Sequence, residues 1–155
     1  MKLSSKGRVA VTSLVDMAIN RKENNPIKLS DISKRQNISL PFLEQIFFLL
    51  KKNGIVHSTR GPAGGYSFAR DPDLVMIYDV ILAIEENLKI NNCNGFDFGC
   101  VSANGNKSKC LTHNLWYELS NHISSFLNSV SIEDVRLNKF LIKSNENVEK
   151  IHINH

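Results

Sequence analysis

All three cysteines of the 155-residue chain fall in one window, Cys93, Cys100 and Cys110, and His113 follows three residues after the last. Thiolate and imidazole are the donors that zinc, iron and iron–sulfur centres accept. Three sulfurs and one ring nitrogen therefore complete a four-ligand set. Residues 91–100 are rich in Asn and Gly and carry neither a helical nor a strand period, which argues against a packed core. Other chemistries stay in view. A disulfide would leave one odd thiol, and cysteine also packs as a small hydrophobe. No Cys-x-x-Cys pair occurs, so zinc-ribbon spacing is absent.

The charge distribution indicates what such a centre would serve. Residues 1–70 hold 12 Lys/Arg and 4 Asp/Glu, a balance of +8, whereas residues 71–155 hold 7 and 11, a balance of −4. Such a split points to a polyanionic partner for the amino-terminal half. The segment Met1–Arg8 has no apolar run of the signal-peptide kind. No apolar stretch reaches the roughly 20 residues that span a bilayer. The expectation is a cytoplasmic protein without membrane attachment, in a reducing compartment where thiolates survive.

Periodicity supplies the elements that must position these groups. Val11, Leu14, Val15 and Ala18 predict a helix over Arg8–Lys22, broken by Pro26. Ser30 is placed to cap a second helix, Asp31–Gln36, with Ile32 inward and a tight turn at Asn37–Ile38. Ser39 is placed to cap a third, Leu40–Asn53, with Pro41 in its first turn and Gly54 as its stop. Its apolar stripe is Leu40, Leu43, Phe47 and Leu50. A hairpin follows, with strands Ile55–Ser58 and Tyr66–Ala69 around the turn 59–65. Two short helices joined by a tight turn, then a Gly-rich hairpin, make a winged helix-turn-helix. That turn carries no Walker lysine, which excludes a nucleotide-binding loop.

At these residues the chain resembles the IscR family of iron–sulfur cluster regulators. The likeness lies in Leu3–Ala10, Asp31–Gln36, Ser39–Gln45, Lys52–Val56, Arg60–Tyr66 and Cys110–Trp116. The resemblance implies a homodimeric winged-helix repressor carrying a 2Fe-2S cluster on Cys93, Cys100, Cys110 and His113. It further implies control of iron–sulfur assembly genes, cluster occupancy altering promoter choice, and admits iron–sulfur scaffold proteins as partners. Six and then nine residues separate the cysteines here, longer gaps than the family's, and ordering a longer loop costs more entropy. Pro41 stands where the family commonly has a polar residue.

The second half predicts a helix over Tyr78–Glu86 and a long one, capped by Thr112, over His113–Val130. The long helix carries a stripe of Leu115, Leu119, Ile123, Phe126, Leu127 and Val130, suited to pairing across a dimer axis or to packing on its own domain. His113 would tether it to the metal centre. The resulting fold is mainly α with a small β-hairpin wing. Its parts are a DNA-binding domain at 1–90, a ligand loop at 91–113, a dimerisation helix region at 114–137 and a disordered tail at 138–155, with His152 and His155 solvated.

The residues expected to meet double-stranded DNA are Ser39, Pro41, Glu44 and Gln45 on the third helix and Arg60 and Gly61 at the wing. Glu44 can accept from cytosine N4 and Gln45 can pair with adenine; the plainer reading of Glu44 is a solvated helix residue. Arg60 can enter the minor groove or meet its phosphates. Two other classes remain. One is a winged-helix regulator in which three Cys and one His hold a closed structural zinc. The other is a thiol enzyme with Cys110 as nucleophile and His113 as base, for which no orienting acid is evident.

Overall fold

A computed structural model of the chain describes residues 5–21, 25–84, 100–101, 107–108 and 112–139. Helix α1, Ser5–Asn20, begins ahead of the expected Arg8. Ala10, Leu14, Met17 and Ala18 recur at helical spacing and are buried, while Val11 and Val15 lie half-buried beside them. Lys22 falls outside the described residues.

Helix α2 spans Leu29–Gln36, so the expected cap at Ser30 is corrected. Lys28 takes the cap position with an extended backbone, and its carbonyl accepts from Asp31 N at 3.0 Å. Burial of Leu29 in the core draws one more residue into the first turn. Asn37 ends the helix in the left-handed region at φ 52°, a conformation Asn tolerates better than most residues. The Ser33 hydroxyl donates to the Ile38 carbonyl at 2.6 Å and closes the tight turn.

Helix α3, Leu40–Lys52, buries Leu43, Ile46, Phe47 and Leu50. Leu40 was expected in this stripe and is instead 37% exposed, with Ile46 taking its place. Its neighbours Ser39, Pro41, Glu44 and Gln45 are exposed as well, so the first turn projects beyond the core. Ser39 holds the cap position through its carbonyl, which accepts from Leu43 N at 3.1 Å; its hydroxyl makes no capping bond, another correction. Pro41 needs no such acceptor, since it has no N–H. Gly54 stops the helix at φ 69°, and its N–H reaches the Lys51 carbonyl at 3.1 Å.

Strands β1, Val56–Thr59, and β2, Gly65–Phe68, pair antiparallel with Val56 opposite Phe68 and Thr59 opposite Gly65. Each strand is shifted by one residue from its expected bounds. Ile27 adds a short edge to β2 through two backbone hydrogen bonds with Tyr66, each 2.8 Å. A single 3-10 turn, Pro72–Leu74, leads into α4, Ile77–Ile84; residues 85 and 86 of the expected helix lie outside the described residues.

Strands β3, Cys100–Val101, and β4, Lys107–Ser108, form a second, minimal hairpin. Helix α5, His113–Ser129, is followed by α6, Ile132–Arg136, which the sequence reading did not anticipate. A capping box starts α6: Ser131 Oγ accepts from Asp134 N, and Asp134 Oδ2 accepts from Ser131 N, both at 3.0 Å. Arg136 Nε donates to Glu133 Oε2 at 2.8 Å, which holds the Glu133 carboxyl below its ordinary range. Asn138 and Lys139, assigned to the tail, close α6 through N–H bonds to Val135 and Asp134 carbonyls; residues 140–155 lie outside the described residues.

One backbone clasp attaches this carboxyl-terminal part to the core. Ile77 N donates to Val130 O and Ile132 N to Val75 O, both at 2.9 Å, around the bridge Met76–Ser131. Val130 and Ile132 are buried, and α6 packs against α1. The end of α5 is thereby anchored to the domain that carries α3.

Candidate nucleic-acid interface and ligand loop

The exposed surface of α3 carries Pro41, Glu44, Gln45 and Phe48 at i, i+3, i+4 and i+7, one face of the helix. Three were expected; Phe48 was not, although its spacing from Glu44 and Gln45 was readable. The helix amino terminus at Ser39 is exposed, and its free N–H groups and dipole favour an approaching phosphate. Lys6 of α1 lies in the same shallow groove as that face, and exposed Lys51 and Lys52 follow it at the end of α3.

The wing is braced to α3 in two places. Phe47 meets Tyr66 edge-on, ring centroids 5.0 Å apart at 67°. Lys51 Nζ donates to Ser58 Oγ at 2.6 Å. Arg60 is exposed immediately after β1, and Gly61 follows at φ 109°, where an L side chain would be strained. Gly64 is required for space: a Cβ there would stand 2.3 Å from the Thr59 carbonyl oxygen. The turn thus presents Arg60 at a tip whose backbone has little freedom.

Of the four expected ligands, the structure places two by their backbone. Cys100 lies in β3 directly opposite Ser108 of β4, and His113 is the first residue of α5. Cys93 and Cys110 lie outside the described residues. Among the described residues no three His, Cys, Asp or Glu side chains gather into an alternative metal site. Thr112 occupies the cap position of α5, but its hydroxyl does not make the expected backbone cap; it accepts from Trp116 Nε1 at 3.2 Å.

The apolar stripe of α5 divides. Val130 is buried and Leu127 packs against the core. Leu115, Leu119 and Phe126 remain 62%, 40% and 46% exposed, with Trp116 and Tyr117 exposed beside them. Among the described residues no helix is long and apolar enough to cross a membrane.

A helix-turn-helix with a hairpin wing, an exposed α3 face next to surface lysines, and a carboxyl-terminal helix that leaves apolar side chains exposed define a winged-helix DNA-binding regulator. The chain belongs to the Rrf2 family of iron-dependent transcriptional regulators, which matches residues 3–137. It is 46% identical over 139 residues to the HTH-type transcriptional regulator IscR of Xenorhabdus nematophila, covering 90% of this chain and 81% of that protein. The IscR of Yersinia pestis is 43% identical over 143 residues, 92% and 84% of the two chains. Among solved structures, T. potens IscR is 29% identical with a TM-score of 0.68, covering 90% of this chain and 88% of its own. CymR, the global cysteine regulator of B. subtilis, is 26% identical with a TM-score of 0.74, covering 89% and 98%. The chain is thus a DNA-binding transcriptional regulator of the IscR type, and the thiol-enzyme alternative is set aside because its relatives are regulators.

Proposed function

We infer that the chain acts as a homodimer in the cytoplasm and holds a 2Fe-2S cluster on Cys93, Cys100, Cys110 and His113. It represses iron–sulfur assembly genes and changes its choice of promoters with cluster occupancy. The observation that carries this reading is the position of His113: first residue of α5, the helix whose exposed Leu115, Leu119 and Phe126 would face a second copy. The donor set fits the group, since thiolates and imidazole are the ligands iron–sulfur centres use. The β3–β4 hairpin also favours it. It folds the chain back so that Ser108 faces Cys100, and two residues of chain, at most about 7 Å, separate Ser108 from Cys110. Bound there, the cluster would supply a redox- and iron-dependent crosslink between the loop and α5.

The residues of the chain do the rest. A dimer sets two α3 helices in successive major grooves, about 34 Å apart. Ser39 and Pro41 approach the groove edge, Glu44 can accept from cytosine N4, and Gln45 can pair with adenine. Arg60 and Gly61 of each wing meet the adjacent minor groove or its phosphates. Ligation would tie Cys93, Cys100 and Cys110 to His113 and set α5 relative to the wings, while iron–sulfur scaffold proteins would supply the cluster.

The deciding experiment is anaerobic purification followed by an absorption spectrum and assays for iron, acid-labile sulfide and zinc. Iron and sulfide in about equal amounts, with visible absorbance bleached by air, is the expected result. Alanine at any of the three cysteines should remove the colour, and alanine at His113 should shift the spectrum or make the centre labile. Stoichiometric zinc without sulfide would replace the cluster by a structural metal.

A further inference from the structure

Phe47 and Phe48 are neighbours on α3 with opposite surroundings: Phe47 is fully buried and Phe48 is 65% exposed. A phenyl ring left in water forgoes the stabilisation of burial and adds nothing to the core stripe. Phe48 shares one helix face with Pro41, Glu44 and Gln45, and with Lys6 of α1 these residues line a shallow groove of about 590 Å³. Lys6 in its lining, and exposed Lys51 and Lys52 one turn beyond Phe48, complement phosphates on the walls of a DNA groove.

We propose that Phe48, with Pro41, forms an apolar patch that reads the 5-methyl group of thymine in the operator, beside the bases met by Glu44 and Gln45. This rests on the reading above in which α3 enters the major groove, and it assigns that face a further base. Neither side chain has a donor or acceptor to offer a base edge. In the major groove the feature suited to apolar contact is the thymine methyl. The homeodomain recognition helix uses the same i, i+3, i+4, i+7 spacing for its base contacts. At a rise of about 1.5 Å per residue, Pro41 and Phe48 stand roughly 10 Å apart along α3, so the four side chains cover about three base pairs. Thymines should therefore border the block read by Glu44 and Gln45.

The test uses the anaerobically purified full chain. Wild-type protein first selects sequences from a randomised duplex pool. A labelled duplex of the selected sequence, about 30 bp and long enough for two half-sites, then has each half-site thymine replaced singly by deoxyuridine, which removes only the methyl. Affinities of wild type and Phe48→Ala are compared by fluorescence anisotropy at one salt concentration. At one or two thymines the swap should weaken wild type about fourfold, the value of one buried methyl, and leave Phe48→Ala unaffected. Phe48→Leu should keep part of the discrimination. The thermal midpoint of Phe48→Ala should match wild type, because the ring is not in the core. Uracil penalties that are absent, or equal in wild type and variant, overturn the assignment while leaving α3 in the groove. A Phe48→Ala that alters sedimentation but not the uracil penalty assigns the ring to a protein contact and overturns it too. A pool that enriches no sequence removes the major-groove reading itself, and the thymine contact with it.

Discussion

Asp16 of α1 receives a fork of hydrogen bonds from Arg35 of α2: Nη2 to Oδ1 at 2.6 Å, and Nε to Oδ1 and Oδ2 at 3.0 and 3.1 Å. Gln36 Nε2 adds a bond to Oδ2 at 2.7 Å. The carboxylate is buried, 4% exposed, while Arg35 is 37% exposed. The bonds to Asp16 raise the Arg35 pKa above its ordinary value, against some desolvation. The pair fixes α2, the helix that presents α3, against the core helix. Because the two partners differ in burial, their deletions should differ. Asp16→Ala leaves Arg35 and Gln36 without their acceptor, but both reach solvent, and should cost about 1–2 kcal/mol. Arg35→Ala leaves the buried carboxylate only two neutral donors, Gln36 and Asn20, and should cost more, about 2–3 kcal/mol. Urea unfolding of both single variants and the double variant measures the coupling; strictly additive losses would show that the pair is not coupled.

Two glycines of the wing region should fail for different reasons. A Cβ on Gly65 would lie 2.5 Å from the Ile27 carbonyl oxygen, a backbone atom that cannot swing away. Gly65→Ala should therefore break the paired bonds between Ile27 and Tyr66, at about 1–3 kcal/mol for an overpacked site, and speed amide exchange at Tyr66. Gly54 has no atom within 4 Å of an added Cβ but sits at φ 69°. Gly54→Ala should cost about 1–2 kcal/mol through left-handed strain alone, with Tyr66 exchange slower than in Gly65→Ala. Equal exchange in the two variants would contradict the separation.

Exposed apolar residues on α5 give a prediction about assembly. Leu115 and Leu119 are 62% and 40% exposed in the single chain, so charges there should leave its folding intact. In a dimer that pairs α5, the same charges would be buried without partners. The Leu115→Asp, Leu119→Asp double variant should sediment as a monomer where wild type sediments as a dimer, with unchanged helical circular dichroism. It should also lose the affinity gained from two linked half-sites. A double variant of unchanged mass would move the interface off α5.

What could be read from the sequence, and what could not, follows from how local each cause is. The bounds of α3 were legible because Ser39, Pro41 and Gly54 act within one turn of the chain. The start of α2 was misplaced because it depends on burial of Leu29, a tertiary effect. Helix α6 carries its Ser131–Asp134 capping box in plain view, yet five residues give too short a period to detect. The clasp between Met76 and Ser131 joins positions far apart in the chain, and no local pattern announces it. Phe48 falls outside the α3 stripe by its period and shares the spacing of Glu44 and Gln45, but in the run Ile46–Leu50, where every residue is apolar, its residue type did not mark it as a surface side chain. The proposed ligand set was read from residue type alone; the backbone of Cys100 and His113 lies in β3 and α5, whereas Cys93 and Cys110 lie outside the described residues.

Glu44 and Arg60 should respond oppositely to truncation, because in the proposed DNA complex one would select and the other would attract. Both are exposed, Glu44 midway along the reading face and Arg60 at the wing tip, so neither replacement should lower stability by more than about 0.5 kcal/mol. Arg60→Ala removes a cation near phosphate. Affinity should fall across operators of every sequence, most at those with a narrow minor groove, and the slope of log affinity against log salt should flatten by about one ion. Glu44→Ala removes a carboxylate that phosphate repels and that only a correctly placed cytosine amino group compensates. Its affinity for the preferred operator should hold or fall slightly, while affinity for variants at that base pair rises, narrowing a discrimination of about 1–3 kcal/mol. Anisotropy titrations of both variants against operator duplexes substituted at each position, repeated at several salt concentrations, separate the two roles. Unchanged relative affinities for Glu44→Ala would return Glu44 to an ordinary solvated helix residue, and an unchanged salt slope for Arg60→Ala would place the wing away from the phosphates.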